Sequence, residues 1–499
     1  MTDTFETEIT AATRPLVLAL DVGSTASRGA VYDAHGRPVG RRAKASHAFT
    51  TSPDGTSVID PDQIVDELAA IIDELTSALG GEQVAGVAID TFASSLVVVD
   101  RHGRALTPCF TYADGRCTAQ VEQLLEELDE RALHQRTGTR VHGSYWPARL
   151  RWLAQEHPDV VAAATHYVSL GDYVLLQLTG TLATGTSCAA WTGMVDRHTA
   201  DWDAKLLGVT GIGTAQLAPI HHVDEPLEIE PERADRLAER WPAIAGARWY
   251  AAVADGVAAN VGLGAGDERS IGASCATSGA LRVIVRQMPV ELPRGLWCYR
   301  VSHDRSIVGG ALSDVGRALS WAGSALAIDQ EDPDALSAAL LAEPCDGTPL
   351  VLPFLTGERS TGWAGDARAV LAGVDVTTGP LALYRGVVEG IALAYARIAA
   401  QLHEVAPAPE QLYCGGRVTN DRPELLEVMA DAMRTPVTPV PIKRSTLHGT
   451  ALLALESLAP DVPRAIPPHG PEHRPQDPRR AYYTGRLTRF EHVYHALFG

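Results

Sequence analysis

The feature that most constrains this chain is a pattern that occurs twice, in which two apolar, strand-like runs are joined by a turn of small residues. The first copy, LVLALDVGSTASRGAVY, begins at Leu16, and the second, SIGASCATSGALRVIV, begins at Ser270. Helical patterns alternate with further strand-like runs, including a predicted helix over 61 to about 79 with Asp60 as its N-cap. Such alternation predicts an α/β protein with mixed sheets.

The repeat and the length together predict two large domains. A chain of 499 residues suits two such domains, since one domain usually takes about 100–200 residues. We place the domains at 14–265 and 266–499, and the second includes the tail, 456–499. Within that tail, a segment rich in Pro, His and Arg precedes a predicted amphipathic helix over about 486–497.

Composition excludes several classes of partner. Lys and Arg number 42 against 61 Asp and Glu, a net charge of −19, which repels nucleic-acid phosphates and anionic membrane surfaces. The seven cysteines are odd in number and never form a C-x-x-C pair, which is typical of reduced thiols in the cytoplasm. We therefore expect a cytoplasmic protein with no nucleic-acid or membrane partner.

Several common catalytic motifs are missing from the sequence. The only lysines are Lys44, Lys205 and Lys443, and none follows the glycine-rich loop that a P-loop requires. The chain also has no H-E-x-x-H, no G-x-S-x-G and no G-x-G-x-x-G after a strand. These absences argue against P-loop, zinc-hydrolase, serine-hydrolase and dinucleotide sites.

The turn DVGST, from Asp21 to Thr25, has the composition of a phosphate-binding loop. Small residues let backbone N–H groups approach a phosphate closely, and an aspartate at the strand end can hold a hydrated Mg²⁺. An ordinary hairpin turn, with Asp21 bonding its own backbone, is the alternative interpretation. The second small-residue turn, from Cys275 to Gly279, favours the phosphate interpretation, because two such turns suit one polyphosphate held from both sides.

Asp255 precedes a predicted helix of small residues and has two interpretations. An aspartate there can cap the helix, which the local pattern by itself favours. It can also accept the proton of a hydroxyl that attacks a phosphoryl group. The local sequence leaves both interpretations open.

Motifs along most of the chain resemble the FGGY carbohydrate kinases of the actin-like ATPase superfamily, and in particular the gluconate kinases. They run in the family's order from about Leu16 to about Leu455, and six or more in order are highly specific. Those that carry the resemblance are FTYADGRC, GDYVLLQLTG, DGVAANVGLGAG, ATSGALRV, WCYRV, GGALSDVGRALSW, PFLTGERS, YRGVVEGIA and CGGRVTND. The resemblance implies two actin-like (ribonuclease H-like) domains whose mixed sheets face an interdomain cleft.

The resemblance also implies roles for individual residues, with ATP and Mg²⁺ as nucleotide and metal. Asp255 would be the general base, Asp21 and Asp255 would hold Mg²⁺ through water, and Arg28 would orient the phosphoryl group. The residues implied for nucleotide binding are Gly23, Ser24, Thr25, Thr277, Ser278, Gly316, Ser320, Gly416 and Asn420. Those implied for substrate binding are Ser94, Ser95, Asp114, Arg116 and Asp255.

The chain departs from the family pattern at three places. Ala93-Ser94 stands where related kinases have Met-His, Ala276 replaces a glycine of the second phosphate loop, and Ser313-Asp314-Val315 replaces Asn-Asn-Gly. Asp21 and Asp255 are both retained. The expectation is therefore intact catalysis with altered specificity.

The resemblance predicts an ATP-dependent kinase that phosphorylates a hydroxyl of a small sugar or sugar acid, with a gluconate-like substrate favoured. One alternative is a pentulose kinase with a xylulose-like substrate. Another is a non-catalytic actin-like nucleotide switch. The expected partner is a small molecule, and a homodimer is compatible with the sequence.

Overall fold

The computed structural model describes residues 5–406 and 409–499, which form two compact units. The first unit comprises the chain up to Gly262 together with Cys298–Ser306 and Arg444–Ile466. The second comprises Leu263–Trp297, Ile307–Lys443 and Pro467–Gly499. Among the described residues, no helix combines the length and apolarity needed to span a bilayer.

The described residues contain twenty-one strands. In chain order they are β1 (Val17–Val22), β2 (Ala26–Tyr32), β3 (Pro38–Ser46), β4 (Thr50–Thr51), β5 (Ser57–Ile59), β6 (Gly86–Thr91), β7 (Val97–Val99), β8 (Cys109–Phe110), β9 (His166–Val168), β10 (Thr184–Gly185), β11 (Ile220–His221), β12 (Arg248–Trp249), β13 (Val253–Ala254), β14 (Ser270–Cys275), β15 (Gly279–Val285), β16 (Trp297–Arg300), β17 (Ser306–Leu312), β18 (Leu350–Leu352), β19 (Val370–Ala372), β20 (Gln411–Gly415) and β21 (Val437–Pro439).

The same part of the chain contains seventeen α-helices. They are α1 (Pro61–Ser77), α2 (Thr118–Glu127), α3 (Glu130–Thr137), α4 (Trp146–Glu156), α5 (Pro158–Ala163), α6 (Leu170–Thr179), α7 (Thr186–Trp191), α8 (Ala204–Thr210), α9 (Pro231–Arg240), α10 (Asp255–Gly262), α11 (Gly316–Ala325), α12 (Pro333–Leu341), α13 (Pro380–Val405), α14 (Val418–Asp421), α15 (Glu424–Met433), α16 (Ser445–Leu458) and α17 (Arg480–Phe498).

The first unit is built on a mixed sheet with strand order β12-β6-β1-β2-β3, and β13 also pairs with β6. Strand β1 is antiparallel to β2 and parallel to β6. Every residue of β1 is buried because side chains alternate between two covered faces. Leu18 belongs to the core formed with α1, whereas Val17 and Ala19 belong to the core formed with α16. Helices therefore cover both faces of the sheet.

The second unit repeats this arrangement. Its sheet includes the order β17-β15-β14-β20-β21, with β14 antiparallel to β15 and parallel to β20. The predicted α/β class with mixed sheets is confirmed, as are both predicted hairpins. The predicted helix after Asp60 is also confirmed, because that carboxylate accepts a hydrogen bond from the N–H of Asp62.

The last helix begins earlier than the predicted position of about 486, since α17 starts at Arg480. The buried guanidinium of the preceding residue, Arg479, lies 2.8 Å from Glu427 and 3.2 Å from Asp431. These tertiary ion pairs fix the start of the helix. The hydrophobic periodicity of the sequence does not predict these ion pairs, so it does not predict where the helix starts.

The compact units differ from the predicted domains, 14–265 and 266–499, at two segments. Residues 298–306 and 444–466 belong to the first unit. Helix α16 packs closely on α10, and a Cβ on Gly449 would lie only 1.8 Å from the carbonyl oxygen of Ala258. Because α16 also covers β1 and β6, a segment of the predicted second domain completes the first unit. The domain division itself stays a prediction.

Candidate active site

The turn between β1 and β2 brings Asp21, Gly23 and Arg28 together. Asp21 and Arg28 are register partners, and Nη1 of Arg28 donates to Oδ2 of Asp21 at 3.0 Å. The N–H of Gly23 donates to the carbonyl of Ala26 at 3.1 Å. A Cβ at Gly23 would lie 2.7 Å from Nη1 of Arg28, so glycine at this position avoids a steric clash with the guanidinium. Ser24 and Thr25 complete the turn.

His47, which the sequence interpretation missed, supports this turn from inside the unit. Its side chain is fully buried, with Nε2 2.8 Å from the carbonyl oxygen of Gly23 and Nδ1 2.9 Å from the Glu67 carboxylate. Its backbone N–H also donates to the carbonyl of Thr25 at 3.1 Å. Two of these contacts therefore hold the backbone of the candidate phosphate loop, and the third, to Glu67, orients the imidazole.

Replacing His47 with alanine should loosen the candidate phosphate loop. The change leaves the Gly23 carbonyl and the mostly buried Glu67 carboxylate without this partner, and buried unsatisfied groups cost about 1–3 kcal/mol each. We expect the free energy of unfolding, measured in urea, to fall by about 3 kcal/mol and the KM for ATP to rise. The exposed His102→Ala is the control. An unchanged KM for ATP would limit His47 to a structural role.

Asp90 is a second residue that the sequence interpretation missed. The parallel register of β1 and β6 pairs it with Asp21, and Oγ1 of Thr450 donates to its Oδ2 at 2.7 Å. Burial raises the pKa of Asp90 well above its ordinary value, and the Asp21 and Asp255 carboxylates raise it further. Its Oδ1 has no hydrogen-bond partner among the described residues.

The sequence did carry a signal for Asp90. Asp21 and Asp90 each end an apolar run of the same kind, VLALD in the first case and GVAID in the second. In parallel strands, such equivalent positions meet at one edge of the sheet. Comparing the two runs would have placed a second carboxylate beside Asp21.

Asp255 is the first residue of α10 and follows β13 directly. The pairing of β13 with β6 sets Val253 opposite Asp90 and Ala254 opposite Thr91, so Asp255 continues toward the same sheet edge. The N terminus of a helix also favours a negative charge. The fold thus groups three carboxylates, those of Asp21, Asp90 and Asp255, at one edge.

This carboxylate group suits a hard divalent cation. Mg²⁺ prefers oxygen ligands and keeps several waters, so it needs only one or two carboxylates from the protein. Besides burial, the Asp21 and Asp255 carboxylates raise the pKa of Asp90, so negative charge is concentrated at this edge and a cation would relieve the repulsion. The residues present therefore fit Mg²⁺, with Asp21 and Asp255 as the predicted ligands.

Asp172 lies in the first turn of α6, within the motif GDYVLLQLTG, and forms a capping box with Ser169. Its carboxylate accepts from the N–H of Ser169 at 2.8 Å, and its own N–H donates to the Ser169 hydroxyl at 3.2 Å. Burial raises the pKa of Asp172 to about 6. Burial raises the pKa of the Cys188 thiol, and the Asp172, Asp255 and Asp90 carboxylates raise it further. Asp172 therefore shares the acidic surroundings of the candidate site.

The raised pKa of Asp172 predicts a pH dependence of stability. A carboxyl whose pKa is higher when folded contributes its full stability below the unfolded pKa and loses it as pH rises through the folded value. Relative to Asp172→Asn, the wild type should lose about 3 kcal/mol between roughly pH 4 and pH 7, since one pKa unit is about 1.4 kcal/mol. Urea unfolding of both proteins at the two pH values measures this. Asp235→Asn, at an exposed position on α9, should show no such difference.

Two predicted substrate residues, Asp114 and Arg116, form a pre-arranged pair. Oδ2 of Asp114 accepts from Nη2 of Arg116 at 2.7 Å and from the N–H of Ser57 at 3.0 Å. The guanidinium lies over the Trp152 ring, 4.6 Å from its centroid. Packing and ion pairing thus hold a carboxylate and a guanidinium side by side.

The other two predicted substrate residues use their hydroxyls within the fold. Ser94 has a left-handed backbone, with φ of 59°, and its Oγ donates to the carbonyl of Trp191 at 2.7 Å. Oγ of Ser95 accepts from the N–H of Leu170 at 2.9 Å. The substrate roles of Ser94 and Ser95 stay predictions, and the observed contacts leave only acceptor capacity at Ser94.

The second unit contains a cavity of about 890 Å³ beside the second small-residue turn. Gly316 donates its N–H to the carbonyl of Ala276 at 2.8 Å, and a Cβ there would lie 2.7 Å from that oxygen. Gly416 has φ of 117°, and its Cβ would lie 2.3 Å from the carbonyl of Cys275. Both glycines are therefore required by close backbone approach. The lining residues are Ala276, Thr277, Gly316, Arg317, Leu319, Ser320, Trp321, Tyr384, Arg417, Val418, Asp421 and Arg422.

Three of the residues predicted to bind the nucleotide line this cavity, namely Thr277, Gly316 and Ser320. Ser278, Gly416 and Asn420 are not among its lining residues, although each is next to one in the sequence. Ala276, which replaces a glycine of the family pattern, lies directly on the cavity wall. Its methyl group is therefore in position to narrow the space for a ligand.

Comparisons with known proteins match both parts of the chain. The N-terminal domain of the FGGY family of carbohydrate kinases matches residues 16–262, and the C-terminal domain matches residues 274–458. A gluconokinase of Bacillus subtilis (strain 168) is 25% identical over 390 residues, which is 75% of this chain and 74% of that protein.

Two solved structures have the same fold. A gluconate kinase from Lactobacillus acidophilus has a TM-score of 0.88 at 22% identity, covering 97% of this chain and 98% of that one. A ligand-bound xylulose kinase from the same organism has a TM-score of 0.88 at 23% identity, with 97% and 98% covered. The predicted fold of two actin-like α/β domains is confirmed, as is the likeness to gluconate kinases. With both domains matched in order, the chain belongs to the FGGY family of carbohydrate kinases and is an ATP-dependent phosphotransferase with an alcohol group as acceptor.

Proposed function

We propose that this kinase phosphorylates gluconate or a closely related open-chain sugar acid. The observation that carries the substrate class is the Asp114–Arg116 pair, because a carboxylate accepts hydrogen bonds from sugar hydroxyls and a guanidinium binds a carboxylate in bidentate fashion. The Bacillus subtilis gluconokinase supports the same choice. A xylulose-like ketose is the alternative substrate, supported by the structural likeness to a xylulose kinase.

The nucleotide site of the proposal is the cavity of the second unit. A volume of about 890 Å³ falls within the range of about 300–1,000 Å³ that is usual for ligand sites. Helices α11 and α14 supply its wall, with adenosine placed between Gly316 and Ser320 on one side and Gly416 and Asn420 on the other. Thr277 and Ser278 would then contact the phosphates.

The chemical step of the proposal uses the carboxylates of the first unit. The substrate hydroxyl oxygen attacks the γ-phosphorus of ATP, and its proton passes to Asp255. At the same time, the bond between the γ-phosphorus and the β,γ-bridging oxygen breaks, and that oxygen leaves with ADP. Arg28 and the backbone N–H groups of Ser24 and Thr25 stabilise the charge on the transferred group. Mg²⁺, held through water by Asp21 and Asp255, would supply further charge neutralisation.

Asp90 has a positioning role in this proposal. Its neutral carboxyl donates to Asp21 and so orients the oxygen that remains for the metal. The Arg28–Asp21 ion pair, at 3.0 Å, restrains the same carboxylate from the other side. Two partners of different kinds thus fix Asp21 before a nucleotide binds.

The experiment that tests the function is an ADP-release assay over a panel of acceptors. The panel contains D-gluconate, D-xylulose, D-ribulose and glycerol, each with ATP and Mg²⁺. The proposal requires the highest kcat/KM with gluconate, whereas a higher value with xylulose supports the alternative. ADP release that no acceptor accelerates would indicate a nucleotide switch. Asp255→Asn protein purified in parallel corrects for contaminating kinases.

We further propose a cytoplasmic enzyme whose partner is the small-molecule substrate. All seven cysteines are free thiols in the structure, which fits a reducing compartment. The net charge of −19 disfavours nucleic acid. Light scattering coupled to size exclusion tests whether the chain forms a homodimer.

A further inference from the structure

His222, Glu225 and His303 form a cluster of metal-binding side chains in the first unit. One donor atom of each lies within 4.8 Å of the donor atoms of the other two. His222 and Glu225 belong to the turn after β11, and His303 belongs to the turn between β16 and β17. None of these residues belongs to the proposed kinase machinery.

The ring of His222 is oriented by a hydrogen bond at Nδ1. Oγ1 of Thr186 donates to the carbonyl of His221 at 3.1 Å and lies 3.0 Å from Nδ1 of His222. Since the hydroxyl proton is used by the carbonyl, Nδ1 donates to Oγ1, and the neutral form of the ring then keeps its lone pair on Nε2. Metal-binding histidines are usually held in this way, with the second ring nitrogen donating to an oxygen.

Glu225 is held by a separate contact. Its Oε2 accepts from the backbone N–H of His222 at 2.8 Å, and its Oε1 lies 3.3 Å from Nε2 of His303. The two imidazole rings lie against each other, with centroids 3.3 Å apart and planes inclined at 37°. A carboxylate oxygen and two imidazoles thus converge from two turns that are distant in sequence.

We propose that this cluster binds one divalent late-transition metal ion, of which Zn²⁺ is the representative. Two imidazoles and one carboxylate suit Zn²⁺, whereas Mg²⁺ prefers oxygen ligands alone. Donors at about 2.0–2.2 Å from one Zn²⁺ lie at most about 4.4 Å apart, and the exposed side chains of Glu225 and His303 can close the remaining gap by rotation. The ion links the two turns and leaves a fourth position for water.

Calorimetric titration with ZnCl₂ tests this site. The protein is a Cys345→Ala variant, which removes the exposed thiol, and it is stripped with EDTA and held in excess Mg²⁺. We expect one tight ion per chain. His222→Ala and His303→Ala should each weaken the Kd by about 100-fold or more, because even an outer-shell partner is worth about 10–100-fold in metal affinity. His492→Ala, at an exposed position on α17, is the matched control.

A second pair of variants tests the orientation of His222 without removing a ligand. Thr186→Val should weaken Zn²⁺ binding by about tenfold, and Thr186→Ser, which keeps the hydroxyl, should not. Co²⁺ replaces Zn²⁺ as a spectroscopic probe, whose visible absorption reports coordination even where a variant is less stable. Unchanged Zn²⁺ affinity in His303→Ala, or a Co²⁺ spectrum that His222→Ala leaves unaltered, would overturn the proposal.

Discussion

Asp255→Asn should abolish phosphoryl transfer while leaving the fold and ATP binding intact. The amide keeps the shape of the carboxylate and loses its basicity, and loss of a general base costs about 10²–10⁴ in kcat. The variant should bind ATP normally in a calorimetric titration, because the proposed adenosine contacts all belong to the second unit. Its unfolding midpoint should also match the wild type. The largest effect is therefore confined to the chemical step.

Asp267→Asn is the matched control for this experiment. Asp267 pairs with Arg269 at 3.0 Å on the surface, so its substitution should leave kcat unchanged. If Asp255→Asn retains more than about a tenth of the wild-type rate, well above the loss expected for a general base, another residue must accept the proton. A normal rate combined with weaker ATP binding would instead place Asp255 on the nucleotide.

Asp114→Ala should raise the KM for the sugar strongly and leave the KM for ATP almost unchanged. Asp114 is buried, and its carboxylate holds Arg116 and the N–H of Ser57. The alanine variant therefore loses a hydroxyl acceptor and also releases the guanidinium. Hydrogen bonds to charged groups are worth about 1.5–3 kcal/mol, so we expect kcat/KM for the acceptor to fall by about 10- to 100-fold or more.

Arg116→Lys separates a sugar-acid substrate from a neutral ketose. A lysine keeps the charge and loses the bidentate geometry, so kcat/KM should fall for gluconate more than for xylulose. Glu122→Ala, at an exposed position on α2, is the control. Equal rises in the KM for ATP and for sugar in Asp114→Ala would show that the pair supports the fold and does not contact the substrate.

Local patterns were sufficient for much of the fold. The two hairpins, α1 and α10 are each encoded by a continuous segment, in which apolar alternation, small-residue turns and capping residues agree. No local pattern of this kind predicts that residues 298–306 belong to the first unit. It depends on contacts such as the Tyr145–Tyr299 hydroxyl pair at 2.6 Å, between residues far apart in sequence.

The candidate site divides in the same way. Asp21, Gly23, Arg28 and Asp255 lie in motifs that can be found by inspection of the sequence. His47 and Thr450 lie outside any motif, because their positions follow from how β3 leads into the next loop and how α16 packs on the sheet. His47 reaches the phosphate turn because it follows β3, which pairs with β2. Supporting residues of this kind require the tertiary structure.

The path of the chain determines when the first unit can be completed during synthesis. Its sheet has one face covered by α16, which belongs to Arg444–Ile466, and these residues leave the ribosome after nearly all of the second unit. Until then, solvent can reach three side chains that the finished protein buries against that helix, those of Val17, Ala19 and Tyr250. A nascent chain that ends at Gly262 therefore presents an apolar surface suited to chaperone binding, and a simple truncation there does not yield a self-sufficient domain. A circular permutant that begins with α16 would supply the helix first and let the unit form before its neighbour is made.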